Sequence, residues 1–171
     1  MNENHKKTEE LQKKMEEEIA IFILGEKTSL LSSGDQLKPR TRAATVRHLN
    51  SGTKVTVKTV NIIKWDKVFE RDMRKLMDLI VKSPAKRIIV IQSIGDASTT
   101  GAYLNTMDGR NEEKKLLFGK TVIVVDSNGP AKHTGNPSIP MSFRLGYAIV
   151  ATAALPPDVY LYENEKISMI R

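Results

Sequence analysis

Cysteine is absent from all 171 residues, which excludes disulfides and thiolate metal sites. Histidine is almost as scarce. His5, His48 and His133 stand far apart, with no acidic neighbours at ligand spacing, so no metal centre is expected. Aromatic residues make up 5% of the chain, and no apolar run approaches the roughly 20 residues that a membrane-spanning helix needs. No association with a membrane is expected. Met1 to Glu18 is charged and polar and lacks the apolar centre of a signal peptide, which together with the missing cysteine points to the cytoplasm. Glycine-rich phosphate loops are missing too: Gly95 and Gly101 do not fit the dinucleotide fingerprint, and there is no Walker sequence. Nor is there a nucleophile elbow around a serine. These absences leave no cofactor to expect.

What is present has ordinary proportions for a globular protein, with 40% apolar and 27% charged residues. The length fits one domain with a core of its own. A formal charge of +7 and a pI near 9.6 permit an anionic partner without requiring one.

The most informative stretch runs from Arg87 to Leu104. Its first half is β-branched and apolar, long enough for a strand buried on both faces and too short for a buried helix. It stops at Gly95-Asp96, after which Ser98 and Thr99 suit the first turn of a helix. In an open parallel α/β sheet, ligands sit at this carboxyl end of a central strand. Asp96 therefore has two readings, as the cap of the following helix or as a ligand-facing carboxylate.

Taken in order, residues 1–18 alternate Lys and Glu and offer only Leu11 and Met15 as apolar contacts, which predicts a solvated helix or arm ahead of a domain spanning residues 19–171. Ile19 to Leu24 is a first strand, followed by a turn, Gly25 to Ser29, in which Thr28 is either a turn hydroxyl or a reactive one. From Leu30 to Gly52 the periodicity lapses while Lys38, Arg40, Arg42, Arg47 and His48 gather. That loop is either a solvated connection or an anion-binding segment, suited to a carboxylate or to the phosphates of a nucleotide or RNA. No aromatic residue interleaves it to stack on bases.

Lys54 to Ile62 alternates like a strand near a sheet edge, and Asp66 to Val81 has the helical spacing of a crossover that ends at Ser83-Pro84. After Asp96 the pattern predicts a short helix through Leu104 and a charged connection from Met107 to Gly119. Thr121 to Val125 is the next strand, closing at a turn that contains Asp126 and Asn128. Met141 to Ala154 is a well-packed helix, and Val159 to Tyr162 is the last strand. Strands alternating with helices predict an α/β fold: a three-layer, mostly parallel, five-stranded sheet with helices on both faces, of the Rossmann or flavodoxin-like kind.

In this order of elements, with the residues after three strands, the chain resembles the amino-terminal domain of the bacterial-type L-asparaginase/glutaminase family from about Ile19 onwards. The family follows its first strand with a Gly-Gly-Thr turn whose threonine is the nucleophile; Gly25-Glu26-Lys27-Thr28 stands in that place. Its second hallmark is a His-Gly-Thr-Asp-Thr run leading to an Ala-Tyr pair. Ser93-Ile94-Gly95-Asp96-Ala97 aligns with it without a gap and reaches Ala102-Tyr103. Lys120-Thr121-Val122-Ile123 resembles a strand that begins Lys-Pro-Val-Val. Ala148-Ile149-Val150 resembles the alanine- and valine-rich helix that follows, and Val159 to Asn164 the next strand.

The departures from the family pattern are as specific as the matches. Gly95 replaces the second threonine, Lys64 falls where a substrate-binding serine is expected, and no tyrosine occupies the loop from Leu30 to Gly52. The family's activating lysine would fall just past Arg171, and its smaller carboxyl-terminal domain has no counterpart in these residues. Thr28 is then left without an evident base, and a threonine hydroxyl is a weak nucleophile until one takes its proton. Lys64 reads as a solvent-facing residue at a strand end, or as a substitute base if desolvated.

The resemblance implies that Asp96 holds the α-amino group of a small amino-acid-like ligand, and that Gly95, Lys64, Asp126 and Asn128 line the same crevice, with amidohydrolase activity reduced or lost. Two alternatives stand beside it. One is a nucleotide- or RNA-binding module using Lys38, Arg40 and Arg42. The other is an active amidohydrolase of the threonine-nucleophile type, completed by a neighbouring subunit, because the family assembles its sites in homo-oligomers.

Overall fold

The computed structural model describes residues 18–24, 55–60, 70–92, 96–109, 116–126, 141–163 and 165–171. Among them lie six strands: β1 (Ile19–Leu24), β2 (Val55–Val60), β3 (Arg87–Gln92), β4 (Thr121–Asp126), β5 (Val159–Glu163) and β6 (Lys166–Met169). Three helices accompany them: α1 (Glu70–Lys82), α2 (Ala97–Gly109) and α3 (Met141–Ala154). The strands form one sheet in the order β2-β1-β3-β4-β5-β6. The first five are parallel, and β6 alone runs antiparallel to its neighbour. The fold is therefore α/β with a mostly parallel sheet, in the flavodoxin-like strand order.

The apolar runs explain the layering. Successive side chains on a strand point to opposite faces, and β3 is buried at every position. Ile88 and Val90 join Phe22, Leu24, Val122 and Val124 on one face, under Leu76, Met77 and Ile80 of α1 and Ala97 and Leu104 of α2. Ile89 and Ile91 join Ile19, Ile21, Ile123 and Val125 on the other, under Leu145, Ala148 and Ile149 of α3. Each Val, Leu, Ile, Phe or Met side chain among them, fully removed from water, contributes about 1.5–3 kcal/mol. The alternation read in Lys54 to Ile62 also holds its meaning, since β2 is an edge strand.

Two elements depart from the sequence reading. A sixth strand follows Val159 to Tyr162, turned by Glu165 at φ 63° and paired as Tyr162 with Ile167 and Tyr160 with Met169. Its four residues, mostly exposed, give no period to read. The second is α2, which continues past Leu104 to Gly109. Asn105, Thr106, Asp108 and Gly109 are weak helix formers, but Met107 packs on the core and the Asp108 carboxylate accepts the Leu117 N–H at 2.7 Å. Tertiary contacts override propensity there.

The amino ends of the strands are tied down by two cations. Lys120 Nζ donates to the carbonyls of Ser83 and Ala85, at 2.6 and 2.8 Å, closing the α1–β3 turn. Burial pushes its pKa below the usual lysine value. Arg87 is buried under the last turns of α3, where it donates from Nε to Thr152 Oγ1 and from Nη2 to the Ile149 carbonyl. A cation at a helix carboxyl terminus also offsets the helix dipole.

The crossovers do not share one hand. From β3 to β4 and from β4 to β5 the chain steps in the same direction across the sheet, yet α2 covers one face and α3 the other. Two such crossovers must be of opposite hand. The unit β2–α1–β3 shares face and direction with β3–α2–β4, so β4–α3–β5 is the odd one. Such units share one hand in roughly 98% of cases, so a reversal within one sheet is rare. Through this reversal α2 leans on β4 and β5 while α3 leans back over β3 and β4.

Candidate functional site

The opposite hands matter for where a ligand can sit. A crevice opens at the carboxyl edge of a parallel sheet where two adjacent strands send their connections to opposite faces. Here the chain leaves β3 for α2 on one face and β4 for α3 on the other, and Gln92 and Asp126, the last residues of the two strands, are register partners. Leu24 ends β1 beside Gln92 in the same row. Asp96, at the start of α2, and the first turn of α3 stand at this edge on opposite faces of the sheet.

Asp96 is the N-cap of α2. Its Oδ1 accepts the Ser98 backbone N–H at 2.9 Å, and its Oδ2 accepts the hydroxyls of Ser98 and Thr99 at 2.7 and 3.1 Å. The capping role is therefore established. The Ser98 hydroxyl bond chiefly holds the carboxyl below its usual range, against the opposing effect of burial. Asp96 is thus an exposed anion at neutral pH. The Thr99 backbone N–H adds to these bonds, so capping engages both oxygens, while the side chain stays open to solvent on its outer side.

Asp126 ends β4 half-buried, and its backbone carbonyl accepts Nη1 of Arg144 at 2.7 Å. Arg144 lies in the first turn of α3 and is buried, 5% exposed. Beside it, the rings of Tyr147 and Tyr162 meet with centroids 5.5 Å apart and planes tilted by 48°. Burial pushes the Tyr162 hydroxyl up in pKa, while the nearby Arg144 pulls it down. The Tyr162 hydroxyl is therefore a protonated donor at neutral pH.

Of the residues selected from the sequence, Asp96 and Asp126 are brought to one edge of the sheet. Thr28, Lys64, Gly95, Asn128, Lys38, Arg40 and Arg42 lie outside the described residues. Arg144 was not foreseen, although a signal existed. It shares its helical stripe with Leu145, Ala148, Ile149 and Thr152, all buried, and it is the one charged residue in the 14 of α3. A charge on the apolar face of a helix calls for a partner.

Among the described residues, no group of three or more His, Asp or Glu side chains is placed to hold a metal ion. None of the described helices is long and apolar enough to cross a membrane. No protein-family model matches the chain, and no curated protein matches it.

Proposed function

We propose that this chain is an asparaginase-like α/β domain that binds a small amino-acid-like ligand at the carboxyl edge of β3 and β4, with amidohydrolase activity reduced or lost. The observation that carries this reading is an exposed, ionised Asp96 on the rim of the gap between connections that leave for opposite faces. The strand order and the run from Ser93 to Tyr103 agree with it. An exposed carboxylate that is already ionised can hold an ammonium by a charge-assisted bond without taking part in any reaction. Gly95, in place of a second hydroxyl, removes the group that would help activate Thr28. The lack of cysteine suits a reducing, cytoplasmic setting.

Thermal shift with asparagine, aspartate, glutamine and glutamate tests the binding. At least one of them should raise the Tm of the wild type more than that of Asp96→Asn. Equal shifts, or none, would remove the reading. Ammonia release from asparagine and glutamine, measured beside Thr28→Ala, tests the loss of activity. Turnover that disappears in the variant would make the protein an amidohydrolase after all.

A further inference from the structure

Arg144 is in the wrong place for a structural cation. The chain shows what a structural one looks like in Arg87, which is buried at the carboxyl end of α3 and donates to a hydroxyl and a carbonyl there. Arg144 occupies the opposite end of the same helix, where its charge adds to the positive pole of the helix dipole. It is as fully desolvated as a core residue. Among the described residues its one hydrogen bond goes to a neutral acceptor, the Asp126 carbonyl, through one of five N–H groups. Buried guanidinium groups are ordinarily matched by a carboxylate or a phosphate, commonly through two parallel bonds. No carboxylate of the described residues lies within ion-pair distance of this one. Among the described residues the Tyr162 hydroxyl faces it, with Tyr147 and Glu165 around that tyrosine.

The place is as telling as the imbalance. Arg144 is fixed to the last residue of β4 by its bond to Asp126, with Tyr162 of β5 beside it, so it stands at the carboxyl edge of the sheet on the face of α3, while Asp96 caps α2 on the other face. A negative group and a positive group therefore stand at the same edge of the sheet, one on each face. We infer that Arg144 is the anion-holding residue of this site and takes a carboxylate of the amino-acid-like ligand whose ammonium Asp96 takes. The inference rests on the proposed function for the ligand class and adds the residue that selects for a carboxylate. Nη1 stays on the Asp126 carbonyl and aims the group, while the remaining N–H donors form the fork. Tyr162 supplies a neutral donor at its side.

Isothermal titration with L-asparagine and with 3-aminopropanamide, which keeps the ammonium and the amide but has no carboxylate, separates the two groups. Against Arg144→Met, L-asparagine should lose roughly tenfold to a hundredfold in affinity, the range of one or two charge-assisted bonds. 3-Aminopropanamide should bind the wild type and Arg144→Met equally. The Tm of the free Arg144→Met protein should be unchanged or higher, because removing an unmatched buried charge costs little. Arg144→Lys keeps the charge without the fork and guards against a folding defect; it should also bind L-asparagine more weakly than wild type.

Asparagine affinity lost in Asp96→Asn but kept in both Arg144 variants would overturn the role of Arg144 and leave the proposed function intact. A wild type that binds neither compound, nor aspartate, glutamine or glutamate, would overturn both.

Discussion

At the scale of single residues, Asp96 is asked to do two jobs that substitutions can separate. Asparagine keeps a cap acceptor but not the charge, whereas alanine forfeits the cap, about 1 kcal/mol. Asp96→Asn should therefore melt between the wild type and Asp96→Ala, with α2 as the element weakened. The pH dependence follows from the lowered carboxyl pKa. A group whose pKa is depressed on folding stabilises the protein above its unfolded value, near 3.9, and the contribution fades as pH falls through the folded value. In urea unfolding, the stability difference between Asp96→Ala and wild type should be constant from pH 5 to 7 and shrink below about pH 4. A difference that persisted undiminished to pH 2 would mean that the charge of Asp96 adds nothing to the cap. This residue was legible because a β-branched run, an aspartate and two hydroxyl residues follow one another within twelve positions, Ile88 to Thr99. Arg144 was harder to read, because Phe143, Tyr147 and Val150 make the outer side of α3 apolar as well, so the stripe it shares with Leu145 and Ala148 does not stand out as the side that turns inward.

Among the elements, α2 shows how a poor local choice is repaid by packing. Gly101 sits inside the helix, where glycine costs about 1 kcal/mol relative to alanine. The reason is the approach of Ile170, which follows β6. A Cβ at position 101 would come within 2.1 Å of Ile170 Cδ1 and 3.9 Å of Val124 Cγ2. Ile170 is anchored there by its N–H on the Val159 carbonyl at 3.0 Å. Gly101→Ala should destabilise the wild type by about 1 kcal/mol, since displacing a half-buried isoleucine outweighs the gain in propensity. In an Ile170→Ala background the same change should stabilise by up to about 1 kcal/mol. A double-mutant cycle by urea unfolding reads the change of sign, and simple additivity would show that the two residues are not in contact. The central strands were readable because each is an uninterrupted apolar run too short for a buried helix, and α3 because its run is long enough for one. The extension of α2 and the existence of β6 were not, because both depend on contacts with residues far along the chain.

For the molecule as a whole, the sheet is unequal from centre to edge. β3 lies between paired strands on both sides and is buried throughout, whereas β6 is four residues long and mostly exposed. Native-state hydrogen exchange should therefore find the amides of β3 and β4 opening only with global unfolding. Those of β6 should open by a local route, at least a hundredfold more often. Equal protection across the sheet would mean that β6 belongs to the same cooperative unit.

The reversed crossover has one more consequence, for a chain being made rather than a chain at rest. α3 leans on β3 and β4, both of which precede it, while α2 leans on β5, which does not yet exist when α2 emerges. On the ribosome, α3 finds its seat waiting as soon as it leaves the exit tunnel. α2, made earlier, keeps part of its apolar side open until β5 arrives some fifty residues later. The interval between those two events is when a nascent chain of this fold most needs a chaperone.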